Sequence, residues 1–166
     1  MNLQLHHSSA IIILLSVFSL AIPSCRNTPE ELSYSGSYHL HFSAMRSFTN
    51  RFKPAISGKK KGPLRVTVKT DDTGTHIITF PRCRIFLMPD KNADRARIVP
   101  GAHANTCILD AGGKIGETAT AFYNGAAEYG RDRTMRMTLY GTTQPVEDGG
   151  PEGTVQFTFS GTMPSR

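Results

Sequence analysis

No segment of this chain offers the run of about 20 apolar residues that a helix needs to cross a bilayer core. The apolar run Ala10 to Ile22 is thirteen residues long, too short to span and suited to the centre of an export signal. Lysine and arginine are missing from Met1 to Ser9, where only the amino terminus, His6 and His7 supply positive charge, a departure from the usual signal. Cysteine is scarce: Cys25, Cys83 and Cys107 are the only three, an odd number for an exported chain. An extended helical period is missing too, which excludes a helical bundle. Catalytic signatures are also lacking. No Gly-x-Ser-x-Gly elbow occurs, and Ser57-Gly58-Lys59 lacks the glycine spacing of a phosphate loop. The expectation is a binding protein, not an enzyme, without a cofactor.

Export is the best-marked property that remains. Cys25 follows the apolar run within three residues and resembles the lipid-attachment cysteine of a bacterial lipoprotein, with Ile22 and Ser24 in suitable places and Pro23 an unusual occupant between them. A rival cut after Ala21 uses Ser19 and Ala21 as a small-x-small pair. The first route puts the protein on a membrane through lipidated Cys25, in a bacterial cell envelope and at the outer membrane; the second leaves it secreted or periplasmic. Lipidation of Cys25 leaves the even pair Cys83 and Cys107, suited to a disulfide in an oxidising compartment or to two buried thiols. Residues 1–24 then form the signal, 25–33 a polar tether containing Pro29, and 34–166 a single domain.

From Tyr34 onward the pattern has period two. Tyr34, Gly36, Tyr38, Leu40 and Phe42 alternate with Ser35, Ser37, His39, His41 and Ser43, as a half-buried strand requires. Leu64, Val66 and Val68 repeat the alternation, as do Met135, Met137 and Leu139, and Val155, Phe157 and Phe159. Further strands are expected over Thr75 to Phe80, Arg82 to Met88, Arg95 to Val99, Asn105 to Asp110 and Glu117 to Glu128, the last bulged at Asn124-Gly125. Pro81 marks a bend or an edge. Turn residues separate the segments, which indicates an antiparallel sandwich or barrel. One stretch differs: Met45, Phe48 and Phe52 predict a short amphipathic helix over 44–53, and Ala55 to Pro63 has loop composition.

The opening Tyr34 to Tyr38, the closing Gly153 to Thr162 and the cysteine after the apolar run together resemble bacterial calycin-like lipoproteins, small lipocalin-like barrels on a lipid tether. The resemblance covers most of residues 34–162. It implies an all-β fold with a single antiparallel barrel of about eight strands and carries no established activity or ligand set. The excursion from Phe42 to Leu64 is where departure from a plain up-and-down barrel is expected.

That excursion also holds the net charge. Arg46, Arg51, Lys53, Lys59, Lys60 and Lys61 lie together without an acid, while the other 13 basic residues balance the 13 acids. An anionic glycan, lipid headgroups or an acidic protein would fit such a segment; a solvated loop is the plainer account. Nucleic acid is disfavoured by export and by the lack of an aromatic-studded strand beside the lysines. His39 and His41 share a strand face, yet two imidazoles need a third ligand such as His76 or His103 to hold a metal, so no metal site is expected. Asp90 to Asp94 imitates a calcium loop without its glycine or closing glutamate. Asp110, Glu117, Glu128 and Asp132 stand near turns, where capping is their ordinary role. The leading expectation is a lipid-anchored binding module. A carrier of a small apolar ligand and an envelope hydrolase are the alternatives, and the bulky inward set favours a filled barrel over a hollow one.

Overall fold

A computed structural model describes residues 31–44, 57–91, 94–99, 101, 105–111, 116–145 and 153–165. Among them are nine strands: β1 (Glu31–Ala44), β2 (Ser57–Thr70), β3 (His76–Phe80), β4 (Cys83–Pro89), β5 (Arg95–Ile98), β6 (Thr106–Asp110), β7 (Glu117–Tyr129), β8 (Thr134–Pro145) and β9 (Gly153–Thr162). Every pairing is antiparallel. The order β5-β4-β3-β2-β1-β9-β8-β7 closes on itself through β5 and β7, giving an eight-strand barrel with β6 as an extra strand. No helix occurs among the described residues. Ala44, where the expected helix begins, ends β1, and residues 45–53 lie outside the description, as does the signal 1–24. The strand already starts at Glu31, inside the segment read as tether.

The alternation works because each strand sorts its side chains between a common interior and water. Tyr34, Leu40, Phe42, Val66, Val68, Met135, Met137, Leu139, Val155, Phe157 and Phe159 are all buried. Leu64 and Tyr38 are partly buried against the same core. Fitting bulky rings into a small barrel demands small residues opposite them. Gly36 faces Gly161 across β1 and β9, and a Cβ on Gly36 would collide with the backbone of Ser160 and Gly161. At the β7 bulge, Gly125 has φ 143°, where only glycine is unstrained.

β5 and β6 follow each other along one side of β7, so they act as one strand interrupted by residues 99–105. Asn105 mends the break. Its backbone oxygen accepts from Phe122 N at 3.0 Å and its Oδ1 accepts from Phe86 N at 2.8 Å. Ile108 N donates to Arg82 O at 3.1 Å, and Cys83 is disulfide-bonded to Cys107, with Cα atoms 4.4 Å apart. Together these ties seat β6 against β4.

The expected loop over Ala55 to Pro63 is corrected: Ser57 to Pro63 is strand, paired with β1 from Ser43 opposite Ser57 to Ser37 opposite Pro63. Pairing overrides the loop-like composition, and the ring of Tyr38 lies over Gly62, which has no side chain to obstruct it. Among the described residues the departure from a plain meander lies at β5 and β6; residues 45–56 of the Phe42 to Leu64 excursion lie outside the description. β3 reaches only Thr67 to Thr70 of β2, so among the described residues the upper half of β2 has β1 alone as a ladder partner. Pro63 and the inward-facing Lys60 guard that edge against pairing with a foreign strand.

Candidate functional site

Three of the six candidate cations, Lys59, Lys60 and Lys61, lie on the upper half of β2; Arg46, Arg51 and Lys53 fall outside the described residues. Strand geometry divides the three. Lys59 and Lys61 point outward, opposite His41 and His39 of β1 respectively, and these two pairs line an open concavity of about 640 Å³ together with Leu40, Lys60 and, from β9, Gln156 and Thr158. The register makes two rows across the sheet. Lys59, His41, Gln156 and Tyr140 form one; Lys61, His39, Thr158 and Thr138 form the other. Among the described residues no carboxylate lines this concavity, so Lys59 and Lys61 meet no compensating acid there. His39 and His41 were weighed as metal ligands with His76 or His103. His76 instead lies at the opposite end of the barrel, His103 is outside the described residues, and no group of three or more His, Cys, Asp or Glu side chains converges among those described.

Lys60 points the other way and pairs with Asp110 of β6. That carboxylate raises the pKa of the ammonium by hydrogen bonding. The pair crosses a notch in the barrel wall left where β3 and β4 turn back at Pro81-Arg82. Below it opens an apolar cup of about 290 Å³, walled by Tyr38, Leu40, Leu64, Phe80, Leu109 and Phe157. Phe157 at its wall packs against Phe80 and Phe122. Arg82 closes the rim with a two-point contact to Glu117.

The acids considered for hydrolysis are each engaged. Asp110 and Glu117 stand opposite one another on β6 and β7, but Lys60 and Arg82 neutralise them, and Arg82 lowers the Glu117 carboxyl below its usual range. Glu128 pairs with Arg95 at 3.7 Å. Asp132 accepts from Thr134 Oγ1 at 2.6 Å in the β7–β8 turn. Asp90 accepts from Arg97 Nε at 2.9 Å. A catalytic acid would have to hold a proton at neutral pH, and the lowered Glu117 carboxyl gives up its proton more readily than an ordinary one.

At the lower end, His76 Nδ1 lies 3.0 Å from Tyr129 Oη, and their rings meet edge to face at 5.3 Å. Burial raises the pKa of Tyr129, as does the nearby Tyr34, and burial lowers that of His76 from 6.5. A folded-state value below the unfolded one means that the unfolded chain binds the extra proton, so stability is complete above about pH 6.5 and falls as pH drops through the folded value. Melting temperature should therefore decline on acidification below pH 6.5. His76→Gln, which keeps a donor to Tyr129, should reduce that slope; an unchanged slope would assign the acid sensitivity elsewhere.

Tyr140 and Gln156 were not singled out from sequence, because neither belongs to a motif; only the register brings them beside the cations. No helix among the described residues is long and apolar enough to cross a membrane. No family model, curated protein or solved structure matches the chain.

Proposed function

We propose that this protein is a calycin-like, lipid-anchored binding module of the bacterial envelope, held to the outer membrane through Cys25, whose outer face over β2, β1 and β9 takes an anionic partner. One observation carries the reading: Lys59, Lys61, His39 and His41 share a single concavity with no acid in its lining among the described residues. An exposed cluster of one sign attracts counter-charged partners and concentrates them at the surface. The strand setting strengthens this account over a solvated loop, since lysines on a paired strand are displayed in fixed positions.

The test compares the two outward lysines with the acid-paired Lys60. Lys59→Gln with Lys61→Gln should weaken binding of inorganic polyphosphate about tenfold and flatten its dependence on salt. Lys60→Gln, which removes an ammonium already paired with Asp110, should change it less. Unaltered affinity in the Lys59 and Lys61 variant, or equal loss in both, would overturn the assignment.

The apolar cup supports a second reading, carriage of a small apolar molecule. Its 290 Å³ is at the lower limit for small-molecule sites, about 300 Å³. That reading requires a small apolar compound to raise the melting temperature by occupying the cup.

A further inference from the structure

Resting on the anionic reading, we propose that the partner is an acidic polysaccharide laid across the strands, its carboxylates or phosphates on Lys59 and Lys61 and a sugar ring against Tyr140. The row from Lys59 through His41 and Gln156 to Tyr140 crosses four neighbouring strands, a distance of about 14 Å at the usual strand spacing. Its chemistry changes along the way from ammonium to imidazole, amide and phenol. Gln156 Nε2 donates to Tyr140 Oη at 3.4 Å, which ties the ring to the row. Tyr140 is 42% exposed, one of three large apolar side chains that stand in water among the described residues. An exposed aromatic ring packs on the apolar C–H face of a sugar while the hydroxyls keep their hydrogen bonds. Cations at one end and a ring at the other therefore match a ligand that alternates charge with hydroxylated rings.

Other anionic partners fit less well. A protein interface has a dry apolar centre in which lysine is depleted, and the concavity carries Lys59, Lys60, Lys61 and polar side chains instead, with Leu40 its only aliphatic lining among the described residues. A membrane-binding face combines basic residues with an apolar strip that enters the headgroup layer, and among the described residues no such strip lines the concavity beside His39 and His41.

The test uses isothermal titration of the intact chain with galacturonate hexamer, a phosphorylated dextran, neutral maltohexaose, polyphosphate and polyglutamate, and co-sedimentation with phosphatidylglycerol vesicles. The expected result is binding of the galacturonate hexamer, the phosphorylated dextran or both, weak or absent binding of maltohexaose, and about tenfold loss of acidic-glycan affinity in Tyr140→Ala, largely recovered in Tyr140→Phe. Polyphosphate affinity should not respond to Tyr140→Ala. Polyglutamate or vesicles bound as tightly as the acidic glycans, or glycan affinity indifferent to Tyr140, would overturn the polysaccharide and leave the anionic face standing. Failure of every polyanion to bind would overturn both.

Discussion

Replacing Phe157 with alanine should cost the barrel about 3–5 kcal/mol, the range for removing a fully buried aromatic ring. Phe157 is 2% exposed and stands at the centre of the aromatic packing. Its ring stacks on Phe80 at 5.1 Å and on Tyr38 at 5.9 Å, and meets Phe122 edge to face at 6.3 Å. Those three rings come from β3, β1 and β7, so one truncation removes contacts to three parts of the wall. Collapse into the void is limited because β9 is laddered along its length to β1 and β8. Urea unfolding should show a lower midpoint with an unchanged slope. Phe157 also lines the apolar cup, so Phe157→Ala should enlarge it and let a compound such as indole restore part of the lost stability. Stabilisation of the unmodified protein by the same compound would favour the carrier reading; stabilisation of the variant alone would favour a filled barrel with an outer binding face. A midpoint lowered by less than a surface substitution would contradict the packing described.

The lower and central barrel was legible because its information is local. Alternating Met135, Met137 and Leu139, or Val155, Phe157 and Phe159, states both the strand and the buried face without reference to anything distant. The upper half of β2 was not legible for the opposite reason. Ser57 to Gly62 has the glycine and lysine content of a loop, and its strand state depends on β1, its inward lysine on Asp110 fifty positions away. Binary pattern cannot register a partner that far along the chain. The interruption between β5 and β6 is similar, since Asn105 reads as an ordinary polar residue until its side chain is seen completing the ladder at Phe86. For the candidate site, charge density pointed to the segment, but the separation of Lys59 and Lys61 from Lys60 needed the strand. Tyr140 carried no signal at all before the register aligned it with Gln156.

Removal of the Cys83–Cys107 disulfide should lower stability by about 3 kcal/mol, the loop-closure value for a bridge spanning 24 positions. For a domain of this size the melting temperature should drop about 10 °C. The bridge matters because of where it sits. β6 is laddered to β7 on one side, whereas toward β4 the ties are the bond Ile108 N donates to Arg82 O and the one Phe86 N donates to Asn105 Oδ1. Without the bridge, the wall between β4 and β6 depends on those two bonds and on burial of residue 107 and Leu109, so β6 should open separately from the rest of the sheet. Cys83→Ala with Cys107→Ala, chosen so that no polar atom is left buried, should thus speed amide exchange at Ile108 and Leu109 well above exchange at Val66 or Met137. The outer face over β2, β1 and β9 is held by other ladders, so polyphosphate affinity should persist. Loss of that affinity together with stability would tie the binding face to the barrel mouth, and an unchanged melting temperature would show that the seam holds without its covalent bond.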